Sequence, residues 1–506
     1  MSIGRNRHWG GVWSDEGHQK RKWGSVQNYA SINPATGERV AEFPTIDDAE
    51  VQDVLARSAS AYSSWRSTPF YERSAILRRA AELHRERADE LAALLTLEMG
   101  KPISSALGEV ALVAAIYEYY ADNAERFLED EQLEFDGPGV ALVRTEPIGP
   151  LVGIMPWNFP YYQVARLVAP NLALGNTAIV KHAPNCPQSA LAIEAILREA
   201  GLPADAYINV FATHDHIATM IADPRVQGVS LTGSERAGAA VGELAGRNLK
   251  KCVLELGGSD PFIVLADADL DQAVTDAVAG RLFNGGQACT ASKRVIVVDE
   301  VYEEFVDRFL AAMAEVAPGD PADAGTTFGP LSSSAAVEEL DRFVEDAESK
   351  GAAVVRGQQG PDSTGAYYPA TVLTGVTPGM RAYSEELFGP VASVFRAATA
   401  EDALAIANDS PFGLAASVYT SNPDTARDFA NLLETGMVWV NSVSRSSPDL
   451  PFGGVKRSGV GRELSRAGMY EFANKKLVRI PEGAPDQATG ASAHGSRAQS
   501  DSSSVG

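Results

Sequence analysis

Cysteine is scarce here: only Cys186, Cys252 and Cys289 occur in 506 residues, far apart and in no paired spacing. That argues against a disulfide framework or a zinc ribbon and fits a reducing, cytoplasmic setting. The seven histidines are scattered without an HExxH motif, so no metal centre is expected. No run of 18 apolar residues occurs, so no membrane-spanning helix is expected. Segment 1–25 has basic residues without an apolar core and does not read as a signal peptide. Positive charge is in deficit, with 43 Lys and Arg against 66 Asp and Glu and a formal net charge of −23. So acidic a surface disfavours nucleic acid and anionic membranes as partners.

What is present has a globular balance, 45% hydrophobic and 22% charged. The length suits two or three domains of about 100–200 residues each. Residues 1–28 lack periodicity, and residues 481–506 are rich in Gly, Ala, Ser and Asp. Both read as mobile tails with too little apolar surface to offset ordering entropy. Between them helical and strand patterns alternate. Ile76, Ala80 and Leu83 predict a helix over about 71–97, and Phe305, Phe309 and Met313 predict another. Apolar runs at 151–155, 178–180, 229–231, 262–265 and 295–298 read as buried parallel strands. The alternation implies an α/β fold with nucleotide-binding character. Segment 133–147 differs: Asp136-Gly137-Pro138-Gly139 reads as a turn between two extended arms. Such a hairpin is either a plain surface feature or a subunit contact.

Four motifs carry candidate chemistry. In Pro156-Trp157-Asn158-Phe159-Pro160, Asn158 places an amide at a strand end, where it could donate to a developing oxyanion. Alone, it could equally close a turn. In Leu231-Thr232-Gly233-Ser234-Glu235-Arg236-Ala237-Gly238, glycines at a strand–helix junction would let a phosphate reach helix N-terminal amides, or simply make a turn. In Leu254-Glu255-Leu256-Gly257-Gly258, a carboxylate among leucines suits general-base work, unless it pairs with a base elsewhere. In Asn284-Gly285-Gly286-Gln287-Ala288-Cys289-Thr290, a sharp turn precedes a cysteine that is either a nucleophile or a buried inert thiol. Lys293 and Arg294 follow it and could favour thiolate. Cys186 and Cys252 fit the inert role better.

Together, and in this order, the four motifs resemble the aldehyde dehydrogenase superfamily. Glu255 and Cys289 are 34 residues apart, and Asn158 and Lys181 are 23 apart, close to that family's pattern. The likeness runs from Ile32-Asn33-Pro34 to Phe452-Gly453-Gly454 and Ser458-Gly459, most of the chain. Within the superfamily, Lys181-His182-Ala183-Pro184-Asn185 and the segments 254–262 and 450–464 most resemble bacterial succinate-semialdehyde dehydrogenases.

The resemblance implies roles. Cys289 is the nucleophile, which passes through a thiohemiacetal and a thioester. Asn158 and the Cys289 N–H hold the oxyanion, and Glu255 activates water. A carboxylate at 255 favours hydrolysis over transfer to coenzyme A. The cofactor site comprises Trp157, Lys181, Pro184, Gly233, Ser234, Gly238, Leu256, Glu386 and Phe388. NAD-specific relatives often carry Glu where Pro184 stands. Without that acid, the Lys181 ammonium can pair with a 2′-phosphate, so NADP is preferred over NAD, with dual use open. Arg166, assisted by Ser446, matches the groups that bind a distal carboxylate. Phe283 stands where some relatives have a second arginine, which leaves a less polar aldehyde as the alternative substrate.

The implied architecture is a Rossmann-like cofactor domain (29–132 and 148–254), an α/β catalytic domain (255–440) and a small β oligomerisation element (133–147 and 441–480). A homodimer or homotetramer is expected. A non-catalytic structural or binding protein on the same fold would tolerate loss of Cys289, Glu255 or Asn158, and all three are present.

Overall fold

The computed structural model describes residues 28–361 and 364–482. The two tails read as mobile lie outside these residues, apart from residue 28 and residues 481–482. Two parallel sheets organise the rest. The first has the strand order Gly459–Val460, Lys251–Glu255, Gly228–Thr232, Pro150–Ile154, Thr177–Lys181, Tyr207–Val210. All neighbours are parallel except the two-residue edge strand Gly459–Val460. Three of its strands are buried at every residue or nearly so, because helices cover both faces.

The order reverses between Pro150–Ile154 and Gly228–Thr232. In open α/β sheets the crevice at the C-terminal ends of the strands beside such a reversal is where ligands bind. Trp157 and Asn158, Gly233 and Ser234, and Glu255 all follow C-terminal strand ends of this sheet.

The second sheet has the order Ala353–Arg356, Thr371–Thr374, Val391–Ala397, Ser292–Val298, Asp260–Val264, Ala415–Tyr419, Met437–Val440. Only Ala353–Arg356 runs antiparallel. The chain crosses from the first sheet to the second through Leu256-Gly257-Gly258-Ser259 alone. Glu255 therefore sits at the junction of the two sheets. Cys289 reaches the same junction from the loop before Ser292–Val298.

The helix expected over 71–97 is two, Phe70–Glu86 and Ala88–Met99. The break is a single residue, Arg87, with φ −111° and ψ 24°. Neither Gly nor Pro stands there; both pieces pack on the long helix Ile103–Phe127, and that packing sets the bend. Phe305, Phe309 and Met313 are buried along one face of helix Tyr302–Glu315. In the hairpin, Glu131–Leu133 pairs antiparallel with Val140–Pro147, and Ala473–Ile480 pairs along the other side of that strand. The strand from the far C-terminus thus completes a three-stranded sheet.

Candidate active site

Helix Pro160–Leu174 begins two residues after Asn158 and is buried at every position, between the first sheet and the helical layer. Proline at its first position suits the missing N–H there, and Gly175 ends it at φ +110°. Its N-terminus has no local side-chain cap. Instead the Glu109 carboxylate accepts from the Tyr161 and Tyr162 N–H groups at 2.9 and 3.1 Å. Lys101 pairs with Glu109 in full burial and lies 3.8 Å from the centre of the Phe159 ring.

The turn before Cys289 uses left-handed backbone at Asn284, Gly285 and Gly286 (φ +54°, +63° and +73°). Gly286 lies against the backbone of Gly389, where a Cβ would not fit. Asn284 tolerates this conformation because its short amide bonds locally, donating to the carbonyls of Asn158 (3.0 Å) and Gln287 (3.2 Å). The Asn158 amide in turn donates to the Gln287 carbonyl at 3.0 Å. One amide hydrogen is thereby used to fix its direction and the second is left for an oxyanion.

Burial pushes the Cys289 thiol up to about 12, against the pull of Arg166 and then Lys293, while Glu386 and Asp260 add to the rise. Lys293 therefore acts in the direction expected from sequence. Arg294 does not: it donates to the carbonyls of Ala407 (3.1 Å) and Ile406. Neighbouring residues of a strand face opposite ways, so only one of the pair can reach the thiol.

Glu255 is 2% exposed, and neither carboxylate oxygen has a hydrogen-bond partner among the described residues. Burial holds it well above the usual carboxylate range, with Arg166 opposing and Glu463 adding to the rise. Gly453, at φ +153°, passes so close that a Cβ there would lie 2.7 Å from Glu255 Oε1.

Arg166 is not the free clamp its sequence position implied. It is 1% exposed, with its Nε 2.7 Å from Glu463 Oε2 and its guanidinium between the rings of Tyr162 (4.8 Å) and Phe452 (4.4 Å). Its Nη2 donates to Thr232 Oγ1 at 3.3 Å and its Nη1 to Tyr162 Oη at 3.5 Å. Tyr162 Oη donates to Ser446 Oγ at 2.7 Å. Arg166 and Ser446 therefore belong to one cluster, joined by Tyr162. Sequence reasoning missed Tyr162 and Glu463. Tyr162 stands one helical turn before Arg166 and was findable on that spacing. Glu463 left no local signal. Phe283 is half exposed and stacks on Phe159, with ring centres 5.6 Å apart.

The cofactor candidates line the strand ends of the first sheet. Lys181 is 6% exposed, donates to the His182 carbonyl at 3.2 Å and is held down to about 8 by burial. Pro184 offers its carbonyl to the Ala30 N–H at 2.9 Å. The Gly233 N–H bonds the Glu255 carbonyl at 3.0 Å. Ser234 caps helix Glu235–Arg247 through its hydroxyl. Gly238 leaves room for Leu256, whose side chain occupies the place of a Cβ. Across the crevice, Glu386 accepts from the Gly258 N–H at 3.1 Å and pairs with Lys293 at 3.2 Å. Phe388 meets Trp157 edge-on, with ring centres 5.7 Å apart.

A thiol, an aimed amide and a buried carboxylate at the mouth of a nucleotide-type sheet can form a covalent acyl intermediate and hydrolyse it. Comparison with known proteins agrees. The aldehyde dehydrogenase family model matches residues 22–478. A Deinococcus radiodurans protein named succinate-semialdehyde dehydrogenase [NADP(+)] is 55% identical over 451 residues, which is 89% of this chain and 94% of that one. A Mycobacterium leprae protein of the same name is 45% identical over 89% of this chain and 99% of its own. The crystal structure of succinic semialdehyde dehydrogenase from Streptococcus pyogenes, in complex with NADP+, matches with a TM-score of 0.87 at 42% identity. It covers 90% of this chain and 100% of that one. The chain belongs to the aldehyde dehydrogenase family and is an oxidoreductase that acts on aldehydes.

Proposed function

We propose that this enzyme oxidises succinate semialdehyde to succinate with NADP, through a thioester on Cys289. The observation that carries the substrate is the Tyr162–Arg166–Ser446 cluster, which puts a guanidinium and a phenol within electrostatic reach of Cys289, with Ser446 hydrogen-bonded to that phenol. A distal carboxylate would meet the charge of Arg166, which Glu463 shares, and the hydroxyl hydrogen that Ser446 keeps while accepting from Tyr162. The names of the Deinococcus and Mycobacterium relatives point the same way. For the cofactor, Lys181 has no carboxylate partner among the described residues, and Pro184 sets no acid beside it. That pair favours a 2′-phosphate over two ribose hydroxyls.

The steps follow from the residues. Cys289 gives up its proton to solvent, and the thiolate Sγ bonds to the aldehyde carbon as the carbonyl π pair moves onto oxygen. The free hydrogen of the Asn158 amide and the Cys289 N–H stabilise the oxyanion in a thiohemiacetal. A nicotinamide held by the cofactor-site residues would supply the hydride acceptor, and Cys289 would then carry the thioester. Glu255, as a carboxylate, takes a proton from water as its oxygen attacks the thioester carbonyl. The tetrahedral adduct collapses, the S–C bond breaks and the acid leaves, and the proton that Glu255 took from water passes to the Cys289 thiolate, which restores both groups. Trp157, Gly233, Ser234, Gly238, Leu256, Glu386 and Phe388 would shape the cofactor site around this chemistry.

Arg166→Ala would be a blunt test, because it would also strand the buried Glu463. Ser446→Ala and Tyr162→Phe are finer. Each should lower kcat/KM for succinate semialdehyde by about tenfold or more, and leave butanal nearly unchanged. Equal losses on both aldehydes would overturn the substrate assignment. In that case a less polar aldehyde is the second reading, favoured by the Phe283–Phe159 pair at the exposed end of the site. We also infer a homodimer or homotetramer, since Ala473–Ile480 is a sheet edge that exposes Leu477 at 63%, and a cytoplasmic setting, since Cys186, Cys252 and Cys289 are all free thiols.

A further inference from the structure

Two loops meet behind the nucleophile. One is the Cys289 loop and the other carries Glu386, and two buried cations clasp them. Arg281 Nη2 donates to the Gly286 carbonyl at 2.9 Å on the first loop, and to the Leu387 (3.3 Å) and Gly389 carbonyls on the second. Lys293, 1% exposed, donates to the carbonyls of Ala288 (2.9 Å) and Cys289 (2.8 Å) and pairs with Glu386 Oε1 at 3.2 Å. An ammonium has three hydrogens, and these three partners are its shortest contacts, with the Ala291 carbonyl farther off at 3.5 Å. Glu386 Oε1 also accepts the Gly258 N–H at 3.1 Å, three residues beyond Glu255. A Cβ on Gly258 would lie 2.7 Å from the Cys289 carbonyl. The nucleophile's loop and the proposed ribose contact thus share one hydrogen-bonded node, which lies three residues along the chain from Glu255.

We propose that Lys293 is a positioning residue that couples cofactor binding to the nucleophile, because one ammonium holds both the Cys289 carbonyl and the Glu386 carboxylate. The inference rests on the reading of Glu386 as a cofactor contact. Ribose hydroxyls that donate to Glu386 draw its charge away from Lys293. The ammonium then belongs more fully to the Cys289 loop. The charged and titratable groups that face the thiol are Arg166 and Tyr162 from helix Pro160–Leu174, Lys293 and Asp260 from the two adjacent strands, and Glu386 from the opposite loop. Arg166 and Tyr162 also touch each other, but Lys293 and Glu386 are the ion pair in this set, and they act on the thiol with opposite sign. Cofactor binding at Glu386 relieves the member that opposes thiolate and frees the member that favours it.

The test is the pH midpoint of Cys289 alkylation by iodoacetamide, with and without saturating NADP, with Cys289→Ser supplying the background. In the wild type NADP should lower the midpoint enough to raise the thiolate fraction at pH 8 about fivefold or more. In Lys293→Met the NADP effect should fall below about twofold, while Lys293→Arg, which keeps the charge, should retain it. Glu386→Gln should bind NADP more weakly by equilibrium dialysis, and at saturation should also lose the effect. If Lys293→Met, or Glu386→Gln at saturation, keeps the full NADP effect, the coupling is overturned while the cofactor reading stands. If Glu386→Gln binds NADP as the wild type does, the reading of Glu386 fails first and the inference falls with it. The Glu386→Gln arm decides the matter even if Lys293→Met does not fold.

Discussion

Glu255 has two oxygens without hydrogen-bond partners among the described residues and almost no contact with solvent. Such a carboxyl holds its proton above the ordinary carboxylate range, since burial penalises the charged form. Its chemistry needs the opposite form. The deacylation rate should therefore rise with pH, through a midpoint above that of an ordinary carboxylate, because deprotonation creates the base. Glu255→Gln has no proton to lose. In rapid-mixing experiments it should give a first burst of NADPH near one per Cys289, then a turnover slowed by about 10²–10⁴ and flat with pH. No burst at all would mean that Glu255 acts before the thioester, not after it.

At the scale of elements, helix Pro160–Leu174 does the most for the site. It carries Tyr162 and Arg166, and its entry fixes Asn158. Its cap comes from Glu109 on helix Ile103–Phe127, charge-balanced by Lys101. Breaking a buried ion pair from one side costs more than removing it entirely. Glu109→Ala should lower unfolding free energy by roughly 3–5 kcal/mol in urea titrations. Lys101→Met with Glu109→Gln should cost less than Glu109→Ala, because the amide still accepts a helix N–H and no charge is stranded. A double variant less stable than Glu109→Ala would show that the pair contributes packing and not cap charge.

The C-terminus matters at the scale of the whole molecule. Strand Ala473–Ile480 pairs over its full length with Val140–Pro147, whose only other neighbour among the described residues is the three-residue strand Glu131–Leu133. A chain cut after residue 472 loses the edge strand through which subunits are proposed to meet and opens the Val140–Pro147 edge in its place, an edge not matched to a partner subunit and so free to recruit chains at random. Size-exclusion chromatography should show that truncation running as aggregate, while a cut after residue 482 elutes like the full chain. If the shorter chain elutes normally and stays active, the strand adds nothing to assembly.

Local sequence carried much of this. Apolar runs at 151–155, 178–180 and 229–231 became strands within a residue or two of where they were read, because a continuous apolar run is stable only with both faces covered. Gly285 and Gly286 read as a sharp turn, and their positive φ angles follow from having no side chain. The break at Arg87 did not show, because no residue there disfavours helix and packing alone sets it. Partnerships did not show either. Arg166 and Glu463 stand 297 residues apart, and Lys293 and Glu386 stand 93 apart. A charged residue read in isolation carries a preference for some partner, but burial and distance choose which one. The sequence by itself determined which backbones turn, which runs are buried and which chemical groups are available. Only the tertiary structure decided that Arg166 is shared with Glu463, that Lys293 and not Arg294 serves the thiol, and that Glu255 stands unpaired. Desolvation and pairing depend on what the whole chain brings within a few ångströms, not on a residue's neighbours in sequence.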